Sequence, residues 1–96
     1  MLNFMMNYSR NKKINLIFKS FPNIDNAERK WLLEDLSLRE SRLCDSRPFI
    51  PQIKLNSQDK RIHLIQQAKE IIVQGTYEHD LQLSELVREV YRPFLK

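Results

Sequence analysis

Apolar residues recur at helical spacing through the second half of this chain. Two neighbouring stripes precede the only glycine, one made of Ile62, Ile65, Ala68 and Ile72, the other of Leu64, Ala68 and Ile71. After Asp80, apolar residues return at intervals of three and four: Leu83, Leu86, Val87, Val90, Tyr91 and Phe94. This period is typical of helices with one apolar face, and it predicts two helices, starting near Ser57 and near Asp80.

The turn between these helices has its own signals. Gly75 follows the first apolar pattern directly, and a glycine there supplies the left-handed residue that ends many helices. Asp80 precedes the second pattern and can accept hydrogen bonds from the first free backbone N–H groups. Residues 77–80 are therefore predicted to form the turn, and Pro93 is expected to loosen the end of the last helix.

The first half predicts one further helix. Asp25 and Glu28 have the spacing of a capping box, and Trp31 with the leucines after it follows at helical spacing until about Cys44. Residues 47–56 begin with Arg47-Pro48-Phe49-Ile50-Pro51, which cannot be helical throughout, so they are interpreted as a linker. Residues 8–21 are apolar but poorly periodic, which favours a short helix or an arm that becomes ordered on binding.

These patterns divide the chain into four segments. Residues 1–22 form a basic arm, 23–46 a helical segment, 47–56 the proline-containing linker and 57–96 a helix-turn-helix that binds a partner. With 96 residues and one glycine, the chain is predicted to be an all-α protein of about three helices. On folding, so short a chain buries only about 60–65% of the surface that its unfolded form exposes. We therefore expect it to be partly disordered without a partner.

Charge is unevenly distributed. Arg10, Lys12, Lys13 and Lys19 supply the whole excess of +4, since residues 23–96 contain twelve basic and twelve acidic residues. A nucleic-acid module usually carries a basic stripe interleaved with aromatic residues on a folded element. We therefore interpret the basic segment as a solvated arm and do not expect nucleic acid to be the partner.

Residues suited to catalysis are few. His63 and His79 lack a partner by motif and are expected on the surface, and Cys44 has no base at a recognisable spacing. The acidic pairs Glu34/Asp35 and Glu85/Glu89 are interpreted as solvated helix faces, the second balanced by Arg88 and Arg92. Neither nucleotide-binding glycine motifs nor clustered metal ligands occur in the sequence. We expect no enzyme, no cofactor and no metal.

Membrane and export signals are also lacking. The longest apolar runs are far below the ~20 residues that span a bilayer, and no secretory signal is recognisable. A single cysteine fits a reducing compartment. We expect a cytoplasmic protein with no membrane and no small-molecule substrate among its partners.

The apolar stripes around Gly75 have two interpretations. They can pack on one another in a small bundle, as in a helical adaptor, a secretion chaperone or a homo-oligomeric subunit. Alternatively, they can bind in a groove on a larger protein. The breadth of the apolar arc from Ile62 to Ile72 favours the second interpretation.

A specific resemblance adds to this interpretation. It rests on the string Lys60-Arg61-Ile62, Leu64-Ile65, Ala68, Ile71-Ile72-Val73-Gln74-Gly75-Thr76-Tyr77, Asp80, Leu83-Ser84 and Leu86-Val87. This string resembles the C-terminal half of the flagellar anti-sigma factors, the FlgM family. Gly75, Tyr77 and Asp80 match in spacing, over about one third of the chain. The closing helix differs from the family in register, and the first half is more apolar than the family's front end.

The resemblance implies a function. It implies a cytoplasmic regulator that sequesters the flagellar sigma factor from core RNA polymerase and is exported without a cleaved signal. The partner-binding residues would be Ile62, Ile65, Ile72, Gly75, Tyr77, Leu83, Leu86, Val87 and Val90. Such helices are weakly formed alone and meet their ordering cost during binding.

Overall fold

The computed structural model describes residues 2–46 and 51–95 of the chain. They form four helices: α1 (Leu2–Ser20), α2 (Asn26–Ser46), α3 (Gln52–Gln74) and α4 (Leu81–Tyr91). Two 3₁₀ turns follow α3 and α4, at Thr76–Glu78 and Arg92–Phe94, and these ranges contain no strand. The predicted all-α class is confirmed, with four helices where about three were expected.

The additional helix is α1, in the segment interpreted as an arm. Ile14, Ile17, Phe18 and Phe21 are buried, and their spacing of three, four and seven residues is that of one helix face. Leu16, by contrast, is 57% exposed. This outward leucine made the segment look poorly periodic. The basic segment is therefore a helix whose apolar face joins the core, because four large side chains gain from burial together.

The start of α2 follows the predicted capping box. The Glu28 backbone N–H donates to Oδ1 of Asp25 at 2.7 Å, and the Asp25 backbone N–H donates to Oε1 of Glu28 at 3.2 Å. Both groups would otherwise lack an intrahelical partner. This reciprocal pair confirms the prediction, and Leu32 and Leu36 further along α2 are buried.

The start of α3 differs from the expectation. The helix begins at Gln52 rather than near Ser57, directly after Pro51, whose φ of −55° suits a helix start. Residues 52–56 thus belong to α3 and not to a linker. Residues 47–50, the first part of the expected linker, lie outside the described residues.

Both predicted signals at the α3–α4 turn are confirmed. Gly75 has φ +74° and donates its N–H to the carbonyls of Ile71 and Ile72. Oδ1 of Asp80 accepts from the backbone N–H groups of Gln82 at 2.9 Å and Leu83 at 3.3 Å. The chain therefore reverses within five residues and returns α4 along α3.

The core lies where α1 covers the α3–α4 hairpin. The Phe21 ring stacks on Tyr77 with centroids 5.3 Å apart, and the Phe18 ring lies 5.1 Å from Tyr91. Arg88 on α4 donates to the carbonyl of Phe21 at 3.0 Å. The apolar seams beside Gly75 are thus covered within a single chain. None of the helices described is both long enough and apolar enough to span a membrane.

Replacing Gly75 tests the turn. Gly75→Ala should lower the free energy of unfolding by about 1 kcal/mol, because an L side chain is strained at this φ. The cause would be backbone strain rather than a clash, since the nearest atoms to an added Cβ are those of the Arg29 guanidinium at 3.6 Å.

Urea unfolding followed by circular dichroism measures this change. Gln66→Ala, at an exposed position within α3, is the matched control and should change stability by less than about 0.5 kcal/mol. Equal stability of Gly75→Ala and the unchanged chain would contradict the role given to Gly75.

Candidate functional site

The nine residues predicted to bind a partner lie close together, and most of them are in the core. Ile62, Ile65, Ile72, Tyr77 and Val87 are buried, Ile72 and Val87 with no exposed surface at all. Leu83 and Val90 are partly buried, and Gly75 is in the turn. Leu86, with 39% of its surface exposed, is the most accessible of the nine. In the folded chain, little of the surface of these five side chains is open to a partner.

A buried carboxylate joins three of the four helices. Asp35 on α2 has no exposed surface, and its Oδ1 accepts from Arg10 Nε of α1 at 2.8 Å. Its Oδ2 accepts from Arg39 Nε at 2.7 Å and from the Tyr91 hydroxyl of α4 at 2.7 Å. We call these four residues the Asp35 cluster. The interpretation of Asp35 as part of a solvated face is therefore wrong.

The sequence did contain a signal for this burial. Asp35 falls between Leu32 and Leu36 on the apolar stripe of α2, and Arg39 follows it by one turn. A carboxylate on such a stripe must be paired to be stable, since burying an isolated charge costs several kcal/mol. The remaining two partners, Arg10 and Tyr91, are 25 and 56 residues away, and no local pattern connects them to Asp35.

The two buried tyrosines differ in their hydrogen bonding. Burial raises the pKa of the Tyr91 phenol far above its ordinary value, and the nearby Asp35 carboxylate raises it further. Tyr91 therefore stays protonated and donates to Asp35. Burial also raises the pKa of Tyr77, but its hydroxyl is buried without a hydrogen-bond partner among the described residues.

An open apolar groove lies beside the Asp35 cluster, where α2, α3 and the end of α4 meet. It has a volume of about 400 Å³. The apolar part of its wall is formed by Leu43, Leu64, Ile65, Val90, Pro93 and Phe94, and the charged part by Arg39, Arg42, Arg61 and Glu89. We call this feature the arginine groove. Its volume is within the range of about 300–1,000 Å³ found for ligand pockets.

The wall at Phe94 is held in place by polar contacts from two helices. Asn15 of α1 donates through Nδ2 to the Phe94 carbonyl at 2.9 Å. The Arg39 guanidinium lies 4.3 Å from the centre of the Phe94 ring, a cation–π distance. Arg39 thus belongs to both the Asp35 cluster and the arginine groove.

The remaining candidate residues lie apart from this groove. His63 and His79 are exposed, as expected, and Cys44 is an exposed free thiol. Glu85 pairs with Arg88 and Glu89 with Arg92, which confirms that flanking arginines balance these acids. Residues 2–46 and 51–95 contain no group of three or more His, Cys, Asp or Glu side chains arranged to hold a metal ion.

A second depression lies between α1 and the start of α2. Lys12, Lys13, Leu16 and Glu28 contribute to its wall. Lys13 also lies over the ring of Trp31, 5.1 Å from its centre, as does Arg10 at 5.0 Å. Trp31 is therefore half-buried beneath two cations, and this surface is basic.

Comparisons with known proteins add no relative. No family model, no curated protein and no solved structure matches this chain. What the chain binds must therefore be inferred from its own geometry and charge.

The two tyrosines provide a matched test of the Asp35 cluster. Tyr91→Phe removes a hydrogen bond to a buried carboxylate and should lower the free energy of unfolding by about 2 kcal/mol. Tyr77→Phe removes an unpartnered hydroxyl and should change stability by less than about 0.5 kcal/mol or increase it.

Both variants delete one oxygen from a buried ring, so each controls for the other. Urea unfolding at neutral pH measures the difference. Equal losses in the two variants would show that the contact between Tyr91 and Asp35 adds nothing to stability.

Proposed function

We propose that this chain is a non-enzymatic helical adaptor that folds by itself and binds a segment of another protein in the arginine groove. One observation carries the proposal. The seams beside Gly75 are closed inside one chain, whereas the arginine groove remains open and mostly apolar. A folded protein binds through the surface that it leaves accessible.

The wall of the groove supports a protein segment as the ligand. Leu64, Val90 and Phe94 are each partly buried, so each retains apolar surface that a ligand can cover. Three helices bound the groove, and an amphipathic helix can lay its apolar face into an apolar groove of this kind. The volume of about 400 Å³ has room for a few large side chains from such a segment.

The walls are also pre-organised. Arg39 is held by Asp35, and Phe94 is held by Asn15 and Arg39. A groove whose side chains are already fixed loses less conformational entropy on binding than a flexible one. This arrangement favours recognition of a partner by the folded chain.

Photo-crosslinking in the cell that makes this protein tests the proposal. Benzoylphenylalanine in place of Phe94 should give a discrete adduct with one other protein. The same group in place of Leu16, an exposed apolar position on α1, is the control and should give none. Leu64→Asp should remove the adduct at position 94 while the helical circular dichroism signal is kept.

The alternatives give different outcomes. An adduct with a second copy of the chain would mark a homo-oligomeric subunit instead of an adaptor. Equal adducts at positions 94 and 16, or none at either, would contradict binding in the groove.

Sequestration of the flagellar sigma factor is the second candidate function. It is favoured by the turn, since the residues that carry the resemblance are the ones that shape it: Gly75 ends α3, Tyr77 packs beneath the turn and Asp80 caps α4. In the folded chain, Leu86 is the member of the predicted contact set most open to a partner. This function requires either a first contact at Leu86 or movement of the helices that cover the buried contact residues.

Binding to the purified flagellar sigma factor of the same organism tests this candidate. Leu86→Asp should weaken binding at least tenfold, because it places a charge at the accessible contact. Leu16→Asp on α1 is the matched control and should leave the affinity within twofold. Isothermal titration calorimetry measures both, and a sigma factor that does not bind the unchanged chain would exclude this function.

A further inference from the structure

The charge of the arginine groove is local and not a result of overall composition. Residues 23–96 contain equal numbers of basic and acidic residues, yet three arginines and one glutamate line this groove. The glutamate, Glu89, is paired with Arg92 at 2.7 Å. Arg39 shares the charge of Asp35 with Arg10, so the groove wall keeps an excess of positive charge.

Arg39 is oriented as a carboxylate receptor. Its Nε donates to Asp35, and its guanidinium carbon lies 4.3 Å from the centre of the Phe94 ring. Within the described part of the chain, its two Nη groups make no hydrogen bond. A guanidinium with Nε engaged and its outer nitrogens available can donate to a carboxylate with defined geometry.

Arg61 contributes a further positive charge from the neighbouring helix. It is exposed on α3 and forms no ion pair with any described residue. Arg42 lies one turn beyond Arg39 on α2, about 4.5 Å further along the axis. The cations thus follow the groove on two helices instead of converging on one point.

We infer that the arginine groove selects an acidic amphipathic helix of a partner protein. The leucine-like side chains of this helix fill the space between Leu64, Val90 and Phe94. Its Asp or Glu side chains pair with Arg39 and Arg61. This inference rests on the proposed adaptor function and adds the chemistry of the partner. Acidic residues one turn apart on a helix match cations spaced along the groove. A single-headed amphiphile, such as a fatty acid, presents one carboxylate and could pair with only one of Arg39 and Arg61.

Synthetic probes of defined charge test the inference. The first probe is a fluorescein-labelled helical peptide of 14 residues with two leucines one turn apart, flanked by four glutamates. The second is the same peptide with glutamine at the four positions, and the third is sodium dodecanoate used as a competitor. Fluorescence anisotropy with the full chain should show the glutamate peptide binding at least tenfold more tightly than the glutamine peptide.

Charge reversal in the chain identifies the responsible residue. Arg61→Glu should lower the affinity for the glutamate peptide at least tenfold and leave the affinity for the glutamine peptide within twofold. Lys60→Glu changes the net charge equally at the adjacent exposed position, outside the groove wall, and should change neither affinity more than twofold. Neither side chain is part of the core, so both variants are expected to keep the fold. Raising the salt concentration should weaken binding of the glutamate peptide more than binding of the glutamine peptide.

The failures of the two proposals are distinguishable. If both peptides bind equally and Leu64→Asp removes both, the groove binds protein segments without charge selection, and only this inference is overturned. If neither peptide binds, this inference is also overturned, while an adduct at position 94 in the cell would still support the adaptor function. Displacement of the glutamate peptide by equimolar dodecanoate would assign the groove to a small amphiphile and overturn both.

Discussion

The burial of one carboxylate constrains the arrangement of the whole bundle. Asp35 is removed from water, so its two oxygens must be matched by donors, and those donors come from α1, α2 and α4. A displacement of α1 or α4 by the length of a hydrogen bond would leave the buried carboxylate without one of its donors, which is costly. Apolar contacts alone would tolerate small shifts, because the hydrophobic effect has no direction. The Asp35 cluster therefore determines where α1 and α4 lie on α2.

The same cluster connects the interior with the surface. Arg39 uses its Nε for Asp35 and presents the rest of its guanidinium to the arginine groove, against Phe94. Arg39 and Phe94 in the groove wall are held by contacts that begin in the core. Such a link allows a small protein to present a defined charge at its surface without losing side-chain entropy when a ligand binds.

The closed core also changes how the residues beside Gly75 are interpreted. Apolar periodicity reports that a helix face is buried, but it contains no information on what buries it. Here part of the cover comes from α1 and the residue that follows it, through Phe18 against Tyr91 and Phe21 against Tyr77, and α2 packs along α3. The flagellar anti-sigma function remains a proposal, and in this structure it requires a contact at Leu86 or movement of the helices that cover the seams.

Local chemistry in the sequence determined the ends of several helices. The capping box at Asp25, the left-handed Gly75 and the cap at Asp80 each depend on residues within five positions, so their sequence pattern was sufficient to predict them. The all-α class followed from the same periodicity and from the single glycine. Tertiary structure decided the rest: the cover of α1 over the hairpin, the burial of Asp35 and the assembly of the arginine groove. Each of these joins residues that are far apart in the chain, and the free energy that favours their contact arises only when the separate helices exclude water together.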